Sequence, residues 1–223
     1  MSELLSAVNK RAQCAQCLRP QTTCICGWVQ TITPEVEVLI LQHPLEVHNA
    51  KGSARLLHLS LAGSVLASGE QFAEPALRAL LYGSSGAAPR QPVLLYPDMP
   101  LLTATAIATP AATAPDWSVM PPAQLRLVVL DATWRKSRKL LHLHPLLQAL
   151  PRLPLRDPPP SLYRIRKAHR PDQLSTLEAT CYALMQLEQR SAPYQPLLQA
   201  FDGFVQEQLE RVAELAVRAK KND

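Results

Sequence analysis

Glycine is scarce, 7 in 223 residues where average usage gives roughly 16, and neither G-x-G-x-x-G nor G-x-x-x-x-G-K-[ST] occurs. The two common phosphate-cradling loops are thereby excluded, and with them an ordinary dinucleotide domain or a P-loop. Apolar runs are short of the ~20 residues that a membrane helix requires. The opening MSELLSAVNKRAQC lacks the charged-then-apolar pattern of a secretory signal. These absences predict a cytoplasmic chain without a membrane partner. What the chain does have is proline, 21 against roughly 11 expected, so its connections are stiff. Apolar residues at 47% exclude disorder for the bulk of the chain, and the length suits one sizeable core with at most a small appendage.

The net charge of +5 is unevenly placed. Residues 131–170 carry ten Lys/Arg against Asp131 and Asp157, a local charge of +8, which leaves −3 for everything else. One cationic surface facing a polyanion is the expectation, with nucleic acid the leading partner; a solvated basic face without function is the alternative.

Hydrophobic patterning alternates strands with helices. EVEVLILQH (35–43), SVLAS (64–68), PVLLYP (92–97) and LRLVVLD (125–131) read as strands, and the continuous apolar runs among them suit a parallel sheet buried on both faces. Helices are predicted over 3–12, 51–60, 74–83, from Ala132 to Pro145, over 174–189 and over about 194–220. Leu174, Leu177, Cys181, Leu184 and Leu187 would line one stripe, and Phe201, Phe204, Val205, Leu209, Val212 and Leu215 another. Residues 100–124, rich in Ala, Thr and Pro, read as a long loop. Strand followed by helix is the signature of an α/β fold.

Four of the five cysteines, Cys14, Cys17, Cys24 and Cys26, fall within 13 residues. Four soft ligands suffice for a closed tetrahedral zinc site, structural because every position is filled. Disulfides, unrelated thiols and an iron–sulfur cluster are the competing readings. Cys181, on an apolar stripe, reads as core. Asp131 stands where the strand 125–131 ends, the edge at which open α/β sheets gather ligands. It could be a general base, an acceptor for a ligand amine or ribose hydroxyl, or an N-cap for the helix that follows. Trp134 could stack a base or anchor that helix. His43, Glu46, Lys51 and Arg55 are expected at one rim, where His43 could equally be a structural residue. Ser175-x-x-Glu178 is a capping box whose helix end, with Ser175 and Thr176, could also take a ligand's anionic group. Ser161-x-Tyr163-Arg164-x-Arg166-Lys167 interleaves an aromatic with cations, a pattern suited to single-stranded RNA.

The cysteine knuckle, QHPLE (42–46), KGSARLL (51–57), LLYP (94–97), LDATWRKSRKLL (130–141), SLYRIRKA (161–168) and LSTLEA (174–179) together resemble the DTW-domain family of the bacterial type, in both order and spacing. The resemblance spans about 14–190. Members are tRNA-uridine aminocarboxypropyltransferases. It therefore implies S-adenosylmethionine as donor, 3-(3-amino-3-carboxypropyl)uridine in tRNA as product and 5′-methylthioadenosine as leaving group. It also implies a SPOUT-like α/β fold with a C-terminal trefoil knot in residues 31–220, preceded by a zinc knuckle in residues 1–30. On this reading Asp131, Thr133 and Trp134 would form the catalytic strand end. Tyr96, Pro97, Leu130, Asp131, Leu155, Ser175 and Thr176 would hold the donor. Lys51, Arg55, Arg135, Lys136, Arg138, Tyr163, Arg164, Arg166 and Lys167 would contact tRNA. Rival readings are a SPOUT-type RNA methyltransferase and a non-catalytic, zinc-stabilised RNA-binding module. Whether the protein is a monomer or a homodimer is not encoded in any of these motifs.

Overall fold

A computed structural model describes residues 12–47, 49, 52–83, 89–97, 116–163 and 173–220. Five strands form one all-parallel sheet: β1 (Glu37–Gln42), β2 (Val65–Ser68), β3 (Gln91–Leu95), β4 (Leu125–Asp131) and β5 (Arg152–Leu153), in the spatial order β2-β1-β4-β3-β5. The helices are α1 (Ala54–Ser60), α2 (Glu74–Tyr82), α3 (Trp134–Leu143), α4 (Pro145–Gln148), α5 (Thr176–Glu188) and α6 (Gln195–Lys220). The α/β class and the parallel sheet agree with the patterning.

The apolar runs of β1 and β4 are continuous because both faces of the sheet are covered. Val38 and Ile40 point into one core with Leu127 and Val129, beneath α1, α5 and α6. Leu39 and Leu41 point the other way, joining Val128 beneath α2, α3 and α4. Side chains alternate with the period of the pleat, so one strand feeds two cores. Glycine is used where a helix must stop or a ring must approach. Gly83 ends α2 at φ +88, a conformation that L side chains rarely adopt. In α6, a Cβ on Gly203 would stand 2.5 Å from the Trp28 ring, so the missing side chain lets that indole lie on the helix.

Several expectations are corrected. Patterning assigns no element between Pro145 and Leu155, where the structure has α4 and the short strand β5, neither long enough to show a period. Leu174 precedes α5 and lines a cleft instead of its stripe. Val212 is exposed, because the buried face of α6 ends near Leu209. Thr133, not Asp131, is the N-cap of α3. The helix expected over 3–12 and most of the loop 100–124 lie outside the described residues.

Candidate functional site: the cleft at the carboxyl edge of the sheet

A cleft of about 620 Å³ opens where β3, β4 and β5 end. Its walls are Leu95–Pro97 after β3, Val129, Leu130 and Ala132–Arg135 around the end of β4, Leu153–Leu155 and Pro158 after β5, and Gln173–Thr176 at the start of α5. This volume lies in the range for small-molecule sites. Parallel strands present their carboxyl ends together, and the first turns of α3 and α5 converge on the same edge, so backbone N–H groups and apolar walls meet there.

Asp131 is 6% exposed and is not among the residues that line this cleft, which corrects the expectation that it touches the donor directly. Gln42 is its register partner on β1. The Gln42 amide Nε2 donates to Asp131 Oδ2 at 2.9 Å, and the Thr176 hydroxyl donates to Oδ1 at 2.6 Å. Leu130, Ala132 and Thr176 line the cleft, and the Asp131 carboxylate stands behind Thr176. Thr133 caps α3 by position only, since its side chain makes no capping hydrogen bond. Trp134, half exposed, meets the Tyr96 ring edge-on at 5.7 Å, and the Arg152 guanidinium lies over the Tyr96 ring, 5.4 Å from its centroid.

The start of α5 is fixed by the capping box. Ser175 Oγ accepts from the Glu178 N–H at 3.1 Å, and Glu178 accepts from the Ser175 N–H at 2.8 Å. The same carboxylate also takes the Ser161 hydroxyl at 2.9 Å and the Leu162 N–H at 2.8 Å. A residue expected only to cap thus anchors the entrance of the basic segment that begins at Ser161. Sequence patterning could not show this second role, nor the pairing of Gln42 with Asp131, because both depend on register and on contacts between distant segments.

The cations divide. Arg135 lines the cleft and is exposed, as is Arg138. Lys136 donates to Glu46 at 3.2 Å, and Lys139 pairs with Glu70 at 2.7 Å. Glu70 is held below its ordinary value, chiefly by the Lys139 hydrogen bond and then by His43. His43 is buried, accepting from the Leu45 N–H and facing Glu70, which is the structural role among the two considered. Arg55 reaches the backbone carbonyl of Gln16 at 2.9 Å and so faces the knuckle. Tyr163 is 6% exposed and packs on Phe201 at 5.3 Å, because the chain turns inward after Glu178 takes Leu162. Its ring is not presented to a base, which corrects the stacking expectation for that residue. Lys51, Arg164, Arg166 and Lys167 lie outside the described residues.

In the knuckle, Cys14 Sγ stands 3.6 Å from Cys26 Sγ and Cys17 Sγ 3.7 Å from Cys24 Sγ, with all four sulfurs within 4.8 Å. Disulfide sulfurs would stand at about 2.05 Å. Four sulfurs each about 2.3 Å from one ion stand about 3.8 Å apart on a regular tetrahedron. The cluster therefore could hold a zinc-sized metal and contains no disulfide. The backbone N–H groups of Cys17 and Gln16 lower the Cys14 thiol to about 6, whereas burial followed by its sulfur neighbours raises Cys26 to about 12. Thiolates crowded this closely repel, and a divalent cation at their centre removes that conflict.

Comparison with known proteins follows the same lines. The chain matches the DTW domain over residues 11–209. It belongs to the DTW-domain family. Among curated proteins it is 29% identical to tRNA-uridine aminocarboxypropyltransferase 2 of Drosophila melanogaster over 209 residues, covering 92% of this chain and 78% of the relative. It is 24% identical to the protein of the same name from Mus musculus over 213 residues, 93% of this chain and 67% of that one. To tRNA-uridine aminocarboxypropyltransferase A of Arabidopsis thaliana it is 27% identical over 154 residues, 63% of this chain and 54% of the relative. No solved structure matches it. Among the described residues, no helix is long and apolar enough to cross a membrane.

Proposed function

We propose that this DTW-domain protein is a tRNA-uridine aminocarboxypropyltransferase, moving the 3-amino-3-carboxypropyl group of S-adenosylmethionine to N3 of a uridine in cytoplasmic tRNA. The names of its relatives support the reaction class. The observation that carries the reading in this chain is the cleft walled by the end of β4 and the start of α5, with a carboxylate behind a cleft-lining hydroxyl. The donor's sulfonium supplies an electrophilic methylene carbon, whose bond to sulfur breaks to leave 5′-methylthioadenosine as N3 attacks.

The chain's own residues then have distinct tasks. Tyr96, Pro97, Leu130, Leu155 and Ser175 shape the wall for the donor, and Trp134, stacked edge-on with Tyr96, offers the exposed ring beside which an extruded uracil rests. The uridine N3–H donates to the Thr176 hydroxyl as that hydroxyl passes its own proton to Asp131 Oδ1, so Asp131 acts on the base through Thr176. Thr133, whose side chain makes no capping hydrogen bond, lines the same cleft. Arg135 and Arg138, with Lys51, Arg164, Arg166 and Lys167, hold the tRNA backbone. Zinc in the Cys14/Cys17/Cys24/Cys26 knuckle is structural. The all-parallel order β2-β1-β4-β3-β5 supports the SPOUT-like assignment, to which the C-terminal knot belongs.

The test is to incubate the purified protein with unmodified tRNA and S-adenosylmethionine and to weigh the nucleosides. Uridine heavier by about 101 Da is expected, a change set by the donor's chemistry. A gain of about 14 Da makes the protein a methyltransferase. A gel shift with no release of methylthioadenosine makes it a binding module.

A further inference from the structure

A second groove, of about 450 Å³, lies on the other side of the strap that runs through residues 155–158. Leu155 and Pro158 line both this groove and the main cleft, so the strap is the wall between them. The strap is held by one side chain of α5. Gln186 Oε1 accepts from the Arg156 N–H at 3.2 Å, and Gln186 Nε2 donates to the Pro154 carbonyl at 3.4 Å. Across the groove from the strap stand Tyr182 and Met185 of α5, with Gln189 and Arg190 at its end. Tyr182 is half-buried, offering a ring without needing to be extracted from the core.

The charges select among polyanion contacts. Arg190 is engaged by Glu35 at 2.9 Å and by Glu188 at 3.0 Å, so its charge is answered within the protein. The Arg156 guanidinium is exposed and has no ion pair among the described residues. Asp157, beside it at the bend of the strap with φ +42, prevents the groove from being uniformly cationic. The attraction on offer is therefore one aromatic face, a flexible thioether and one unanswered cation. That combination suits a single nucleotide better than a bare phosphate.

We propose that this groove is a second nucleotide subsite, which takes the residue adjoining the reacting uridine, its base stacked on Tyr182 and its phosphate facing Arg156. The inference rests on tRNA being the substrate, as argued above. Leu155 and Pro158 act as a wedge that splays two consecutive bases into two cavities, as apolar wedges do when they unstack nucleic acid. The Gln186 amide is spent on the strap and so does not read the base.

Two variants of the full chain test this, Tyr182→Ala and Arg156→Gln, each measured with tRNA and donor. Removing a stacked base platform raises the KM and Kd for tRNA about fivefold to a hundredfold, while the KM for the donor and kcat at saturating tRNA are unchanged. Tyr182→Phe, which keeps the ring, restores affinity and guards against loss of folding as the cause. A substrate abasic at the neighbouring nucleotide loses the same factor with the parent protein and loses nothing more with Tyr182→Ala. RNA affinity unchanged in Tyr182→Ala, or a loss confined to donor affinity, overturns the inference. Binding to RNA is measured without donor, so the groove is tested even if no modified nucleoside forms, an outcome that would instead overturn the proposed reaction.

Discussion

Thr176 is the single hydroxyl on which the proposed proton path depends, so Thr176→Ala is the most informative perturbation. Its side chain donates to Asp131 Oδ1 at 2.6 Å from the first turn of α5. A hydrogen bond to a charged group contributes about 1.5–3 kcal/mol. Alanine also leaves one oxygen of a 6%-exposed carboxylate without this donor, although Gln42 still holds the other oxygen. A loss near 2 kcal/mol lowers Tm by roughly 4–8 °C in a chain of this size, so the variant is folded at ordinary assay temperatures. Turnover should fall by about 10²–10⁴, the usual share of general acid–base catalysis. Donor affinity, measured by calorimetry, should stay within about threefold. Thr176→Ser keeps the hydroxyl and should retain most of the turnover. Asp131→Asn can still accept from Gln42 Nε2 and can donate its NH₂ to the Thr176 hydroxyl, so the contacts survive while the group that takes the proton is lost. It should lose turnover at least as severely, and the double variant should lose little more, because the two groups act as a unit. Thr176→Ala with undiminished kcat, or with its whole effect in donor binding, refutes the relay and leaves Asp131 as a purely positioning group.

Three further outcomes follow from other contacts. Cys14→Ser replaces one of four soft ligands 3.6–4.8 Å apart, so zinc measured by elemental analysis should fall from about one per chain to well below it, with a lower Tm. Glu178→Gln turns an NH₂ toward either the Ser175 or the Leu162 N–H, costing about 2–4 kcal/mol; amide hydrogen exchange should show Leu162 losing protection before the centre of α5 does. His58 is held below its ordinary value by burial and secondarily by Arg55, so the unfolded chain binds that proton first as pH falls. The stability tied to neutral His58 is fully present above about pH 6.5 and is lost as pH drops through the folded value. His58→Gln should flatten the fall in Tm across that window.

The fold was legible where a pattern repeats and illegible where a single contact decides. VLILQ and LRLVVLD announce strands buried on two faces, and the structure places them side by side as β1 and β4. The two residues of β5 and four of α4 are shorter than any period. In the site, Asp131 at a strand end and the capping box were visible as local motifs. Gln42 was not, since its relation to Asp131 is a matter of strand register. The charge count had a similar limit. Ten cations in one window imply a polyanion surface, yet Lys136 and Lys139 answer Glu46 and Glu70 from other segments. Tyr163 sits within a cationic motif and still turns into the core against Phe201, nearly 40 residues away in the chain. Side-chain type told what these residues could do, and only packing told which face they show.

The knuckle and the cleft are joined by a short run of contacts. Arg19 donates to the Gly52 carbonyl at 3.1 Å, and Arg55 donates to the Gln16 carbonyl at 2.9 Å. Between those two positions stands Ser53, whose Oγ accepts from the Leu177 N–H at 3.3 Å, in the first turn of α5. The next residue back is Thr176, bonded to Asp131. At its other side the knuckle is tied to α6, by Trp28 donating to Glu207 at 2.8 Å and by Arg211 donating to the Thr22 carbonyl at 2.6 Å. The knuckle segment is thus tied to α1 and to α6. A helix terminus frays unless its orphan N–H groups and its approach are fixed from outside. A metal held in the knuckle would add folding energy to a segment whose contacts run through α1 and Ser53 to Leu177, the neighbour of Thr176, so the knuckle and the Thr176–Asp131 contact belong to one packing arrangement.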